Sequence, residues 1–144
     1  MVQQPDTRIT GTILVADDQA ANREFLEELL VAQGSTVITV PDGAAAIEEL
    51  SKTQVDLVLL DVIMPRLNGF EACERIKNNP ATCLIPVVLV TALSDKQDRI
   101  EGIKAGADDF LTRPVDRIEL LTRVRSLLTL NTAPTNWRSV VHSL

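Results

Sequence analysis

An open α/β sheet of five parallel strands, wound with helices on both faces, is the fold class this sequence predicts. Three observations carry the prediction. Five apolar runs, 12–16, 36–40, 55–60, 86–91 and 108–112, alternate with segments of helical period. Their Val, Ile and Leu content suits strands covered on both faces, as the strands of parallel sheets are. Two of the runs finish on carboxylates: Thr12 to Ala16 leads into Asp17-Asp18, and Val55 to Leu60 leads into Asp61.

Taken in order, each element has its own justification. After the run 12–16, Phe25, Leu26, Leu29 and Leu30 give the first helix an apolar stripe at helical spacing. The run 36–40 is followed by Asp42, a side chain suited to cap an alanine-rich helix over 43–51. Beyond the third run, Met64-Pro65 with Gly69 breaks the strand and re-enters a helix marked by Phe70, Cys73 and Ile76, with Asn68 as its turn or cap residue. The fourth run, 86–91, precedes Ser94 and Gln97, which read as a capping box for a helix near 95–105. Ile100 and Ile103 mark the apolar side of that helix, and Gly106 suits its C-terminal cap. The last helix shows a stripe of Ile118, Leu121, Val124 and Leu127.

Strand–helix alternation implies right-handed crossovers and a doubly wound sheet. In the flavodoxin-like strand order 2-1-3-4-5, the switch point lies between strands 1 and 3, outside their carboxyl ends, which is where such sheets place their sites. Asp17, Asp18 and Asp61 terminate those two strands.

Composition bounds the rest. The chain has 144 residues, enough for one domain with a substantial core. We expect a loose leader over 1–10, a domain over 11–130, and a linker or C-terminal tail over 131–144, with truncation from a larger protein as the open alternative. A net charge of −6 argues against nucleic-acid binding, which needs a basic surface. No apolar run has membrane-spanning length and the first residues lack signal-peptide features, so a cytoplasmic protein is expected. Cys73 and Cys83 read as reduced packing residues, and His142, the only histidine, lies in the tail.

Three carboxylates converging on one pocket raise one another's pKa unless a cation neutralises them, and a hard divalent metal held by oxygen is one resolution. Thr91 closes the fourth strand and Arg113-Pro114 follows the fifth, adding a hydroxyl and a fixed cation. A carboxylate can attack phosphorus to give an aspartyl phosphate, and phosphoryl transfer needs chiefly positioning and charge neutralisation.

The series Asp17-Asp18, Asp61-Val62-Ile63-Met64-Pro65 with Gly69, Thr91-Ala92, Gly106-Ala107-Asp108-Asp109-Phe110 and Arg113-Pro114 resembles the bacterial response-regulator receiver domain over roughly residues 11–130. The resemblance implies a two-component signalling switch. Asp61 would be the phosphoacceptor. Asp18, Asp61 and the backbone carbonyl of Ile63 would bind Mg²⁺, with Asp17 holding it through water. Thr91 would hydrogen-bond the phosphoryl group, and Thr91 with Phe110 would form the switch. Pro114 would follow a cis peptide. The donor would be a sensor histidine kinase or phosphotransfer protein, and the chain would catalyse only its own phosphorylation and slow dephosphorylation, with apolar Ile63 and Leu93 hindering water. Helix 4, strand 5 and helix 5 would offer a homodimer surface, with Arg117, Arg123 and Arg125 on it. No output domain fits in the last 14 residues, so output is expected elsewhere.

One position departs from the family. Arg113 stands where a lysine is usual, and a planar guanidinium fork is not equivalent to a compact ammonium. It either neutralises the phosphoryl group or salt-bridges Asp61 and Asp17. A phosphorylation-independent pseudo-receiver is therefore the alternative. A receiver fragment of a larger cyclic-di-GMP regulator is another, suggested by the stretch Arg113 to Leu121. A haloacid-dehalogenase-type phosphatase would need an acid at position 63, which is Ile63, and a flavodoxin would need a hydroxyl-rich loop where Asp17-Asp18-Gln19 stands.

Overall fold

The computed structural model describes residues 9–92 and 96–131. Among them the chain runs β1 (Thr12–Ala16), α1 (Ala20–Val31), β2 (Thr36–Val40), α2 (Gly43–Leu50), β3 (Leu57–Asp61), α3 (Gly69–Asn78), β4 (Val87–Thr91), α4 (Lys96–Lys104), β5 (Asp109–Thr112) and α5 (Arg117–Asn131). All pairings are parallel, in the order β2-β1-β3-β4-β5 expected from the sequence.

Period-two alternation divides the strands between two cores. Ile13, Val15, Leu57, Leu59, Val88, Val90 and Leu111 face α1 and α5, meeting Leu26, Leu30, Leu120 and Val124. Leu14, Ala16, Val58, Leu60, Val87 and Leu89 face the other way, onto Ala46, Ala72, Cys73, Ile76 and Ala105. β3 and β4 are buried along their whole length, which is why their sequences are continuous apolar runs.

Three strands begin later than their apolar runs suggest, and two aspartates explain much of the offset. The Asp56 carboxylate accepts the Thr12 N–H at 2.8 Å, and the Asp108 carboxylate accepts the Val87 N–H at 2.8 Å. Each satisfies the first donor of the neighbouring strand, so the ladder starts after it. Lys77 fixes the second of these aspartates by a 2.7 Å ion pair with Asp108.

Helix termini follow their sequence signals. Asp42 caps α2 by accepting from Ala45 N–H at 2.8 Å. Asn68 and Glu71 form a reciprocal capping box on α3. Gly106 follows α4 with φ +91, a conformation that favours glycine. Ser94, Leu93 and Asp95 fall outside the described residues, so the expected capping box of α4 does too.

Some expectations need correction. Ile103 and Ile118 are each 74% exposed, so neither contributes to an apolar face turned inward. The core side of α5 is Leu120, Leu121, Val124 and Leu128 instead. Phe25 in α1 is half exposed. Ile9, assigned to the leader, is buried. Its N–H donates to Gln33 O at 2.9 Å and its carbonyl accepts from Ser35 Oγ at 2.6 Å, so packing begins before Gly11.

Candidate functional site

Strand register sets the site. Ala16 pairs with Leu60, Asp61 with Val90, and Thr91 with Thr112, so the carboxyl ends of β1, β3, β4 and β5 form one row. The residues that close those strands are the ones singled out in the sequence.

Asp17 is buried at the end of β1, where its N–H donates to Val40 O at 3.1 Å. Its Oδ1 accepts the Gln19 N–H at 2.9 Å and Asn22 Nδ2 at 3.4 Å. Arg23 donates Nη1 to its backbone carbonyl at 2.7 Å. The first turn of α1 thus grips Asp17, and the positive end of that helix suits a carboxylate. Asp18 is exposed. One carboxylate oxygen from each of Asp17, Asp18 and Asp61 lies within 4.8 Å of the others.

Asp61 is buried at the end of β3. Burial raises its pKa above the ordinary carboxylate value; the Arg113 charge lowers it, the Asp17 charge raises it, and the Ile63 backbone hydrogen bond lowers it again. The net direction is upward. Gly69 allows the loop after β3 to turn tightly here, because a Cβ there would lie 2.2 Å from the Asp61 carbonyl oxygen. Ile63, two residues past Asp61, is exposed. Its expected companion Leu93 lies outside the described residues.

Arg113 enters from the end of β5, its N–H donating to Thr91 O at 2.7 Å, and the Arg113–Pro114 peptide is cis. Its Nη1 donates to Asp61 Oδ1 at 3.1 Å and its Nη2 to Asp17 Oδ2. The guanidinium therefore straddles both acids. Beside it opens a cavity of about 530 Å³ bordered by Asn22, Phe25, Leu26, Pro114 and Val115.

Thr91 is fully buried. Phe110, paired with Leu89 across the sheet, is half-buried, with its ring edge close against Gly102 and the Arg99 guanidinium 5.1 Å from its centroid. The structure brings Asp17, Asp18, Asp61 and Arg113 into one cluster and sets Thr91 on the same rim. The sequence reading missed Gln19 and Asn22. No motif marks them, and only the position of the first turn of α1 beside Asp17 reveals their part.

The donor set is all hard oxygen with a surplus of negative charge, which fits Mg²⁺ better than a softer metal. Comparison with known proteins agrees with this geometry. The sequence profile of the response regulator receiver domain matches residues 13–125. The chain belongs to this family. It is 46% identical over 119 residues to the response regulator PleD of Caulobacter vibrioides, covering 83% of this chain and 26% of that protein. The chain thus spans about a quarter of the length of that relative. The receiver domain of a signal transduction histidine kinase from Syntrophus aciditrophicus superposes with a TM-score of 0.81 at 36% identity, covering 87% of this chain and 94% of that one. The receiver domain of a Pseudomonas aeruginosa sensor histidine kinase, solved with magnesium coordinated in its active-site cleft, gives 0.77 at 28% identity, covering 83% and 98%. The chain is a receiver domain of two-component signalling, with the flavodoxin-like sheet its sequence predicts.

Proposed function

We propose that Asp61 is the phosphoacceptor of this receiver and that Mg²⁺ is its cofactor. The observation that carries the proposal is the placement of Asp61. It is buried at the carboxyl end of β3, within 4.8 Å of oxygens from Asp17 and Asp18, and bonded to a cation at 3.1 Å. Asp17, Asp18, Asp61 and the Ile63 carbonyl would hold Mg²⁺, which when bound supplies positive charge to the oxygens of the incoming group.

The protein's own groups do the rest. An Asp61 carboxylate oxygen bonds to phosphorus while the P–N bond of a phosphohistidine on the donor breaks, and the imidazole leaves. Arg113 neutralises charge on the transferred group, and the Thr91 hydroxyl donates to one of its oxygens. The resulting dianion shifts the equilibrium between two arrangements of Thr91 and Phe110 by its differential interaction with them. The donor, a sensor histidine kinase or phosphotransfer protein, docks at the cavity beside Arg113. The half-exposed Phe25 and the neighbouring Pro114 and Val115 give it an apolar seat. The α4–β5–α5 face, with exposed Ile103 and Ile118, serves homodimerisation, and output comes from a separate domain or effector. No helix among the described residues is long and apolar enough to cross a membrane, and a cytoplasmic site of action is part of this reading.

The ion pairs from Arg113 to both acids also favour a second reading, the phosphorylation-independent pseudo-receiver. Intact mass after incubation with acetyl phosphate, with and without Mg²⁺, separates the two. The proposal expects an adduct of one phosphoryl group that requires Mg²⁺ and is lost in Asp61→Asn. A well-folded parent that acquires no adduct would establish the pseudo-receiver instead.

A further inference from the structure

We propose that Arg113 is a latch across the acidic pocket: it serves as the resident counter-ion of Asp17 and Asp61, and a divalent cation binds only as the guanidinium leaves Asp17. The inference rests on the phosphoacceptor reading above and specifies how access to that site is regulated.

The hydrogen-bond inventory of Asp17 carries the argument. Its Oδ1 already accepts two donors, the Gln19 N–H at 2.9 Å and Asn22 Nδ2 at 3.4 Å, which fill its two acceptor sites. Its Oδ2 accepts Arg113 Nη2, the contact that a cation would have to share or replace. Asp61 is engaged by the other arm of the same fork, at 3.1 Å. One planar group thus ties the end of β1 to the end of β3 through separate nitrogens. A lysine ammonium would have to meet both carboxylates from a single point.

Direct ligation through Asp17 Oδ2 competes with the guanidinium for that oxygen. Mg²⁺ binds its oxygens at about 2.0–2.1 Å and demands near-octahedral geometry. A dication at that distance from Asp17 Oδ2 would lie directly against the guanidinium, with Asp17 almost wholly removed from solvent. Like charges in such a setting repel strongly.

The same region provides a place for the displaced group. Arg113 lines the cavity of about 530 Å³ alongside Phe25, Asn22 and Pro114. Phe25, a half-exposed residue on the same cavity lining, supplies an aromatic group suited to a guanidinium by cation–π contact. Opening the latch therefore moves the guanidinium off Asp17 toward the adjoining cavity. Closed, Asp17 and Asp61 share one positive charge without metal; open, Asp17 Oδ2 is free for ligation.

The test is isothermal titration calorimetry of Mg²⁺ into the metal-free full chain and two variants. Arg113→Lys keeps the charge and removes the fork, and Arg113→Gln removes both. The latch predicts Mg²⁺ binding about tenfold tighter in Arg113→Lys, an ordinary magnitude for coupled sites. Arg113→Gln should bind at least as tightly as Arg113→Lys, and Mg²⁺ should raise the melting temperature of both variants more than that of the parent. If Arg113→Gln does not fold without metal, Arg113→Lys alone decides. Equal affinities in all three proteins would overturn the latch, as would weaker binding in either variant. Tighter binding in Arg113→Gln with Arg113→Lys at the parent's affinity would also overturn it, since charge alone would then account for the effect. The phosphoacceptor reading is tested separately by the acetyl phosphate adduct, which can appear or fail whatever these affinities are.

Discussion

Asp61 is held under opposing demands. Burial opposes its charge and Asp17 adds repulsion, while Arg113 attracts it, and the balance leaves its pKa raised. An acid whose folded-state pKa lies above its unfolded value contributes stability that is complete below the unfolded value and lost as pH rises through the folded one. At neutral pH and without divalent cations, the ionised carboxylate therefore costs stability. Asp61→Asn should melt at a higher temperature than the parent at pH 7, with the gain vanishing as pH falls below the ordinary carboxylate value of 3.8. Thermal melts across pH in chelator would check this; a mutant less stable than the parent at neutral pH would contradict it. Gly69 imposes a different constraint. A Cβ there would sit 2.2 Å from the Asp61 carbonyl oxygen and 2.8 Å from Val62 Cα, both backbone atoms. Gly69→Ala should cost about 1–3 kcal/mol by urea denaturation, the usual cost of overpacking, and should weaken Mg²⁺ binding because it displaces the β3–α3 loop. An unchanged urea midpoint would show that the loop yields freely.

At the scale of elements, local signals and packing divide the work. The α3 capping box was legible in part, through Asn68 at the loop's end. Removing it in Asn68→Ala should lower stability by about 1 kcal/mol, read as a lower urea midpoint with an unchanged slope; no shift would mean that packing of Cys73 and Ile76 alone sets the helix. Strand positions were legible because β3 and β4 are buried on both faces and leave continuous apolar runs. Their first residues were less so, since nothing in composition reveals that Asp56 and Asp108 accept N–H groups from the neighbouring strands. The helical stripes misled at Ile103 and Ile118. Both are apolar at helical spacing yet face solvent, because α4 turns Gly102 inward and α5 reaches the core through Leu120 and Val124 instead. Spacing shows that a residue is apolar at a given phase; only the neighbouring element decides which phase faces inward.

Across the whole molecule, the topology is what turns scattered residues into a site. Arg113 meets Asp17 from 96 positions away and Asp61 from 52. No local pattern encodes such contacts. The strand order does, because β1, β3, β4 and β5 end in one row. The carboxylates, Thr91 and Arg113 were therefore legible as a cluster once strand order was inferred. The two-armed contact of Arg113 was not settled: the sequence left open whether the guanidinium would serve the phosphoryl group or salt-bridge Asp61 and Asp17. Gln19 and Asn22 escaped notice for a related reason, since their role depends on how the first turn of α1 lies against Asp17.

Phosphorylation at this pocket stands or falls with where the phosphoryl group is attached. The measurement that tests it most directly is chemical mapping of the adduct: the chain is incubated with acetyl phosphate and Mg²⁺, reduced with borohydride, digested, and sequenced by tandem mass spectrometry. Borohydride converts an aspartyl phosphate to homoserine and leaves a free carboxylate untouched. Conversion is expected at position 61 and absent when Mg²⁺ is withheld. Conversion at Asp17, at Asp18 or at an aspartate outside the pocket, or an intact Asp61 in a protein that carries the phosphoryl group, would contradict it.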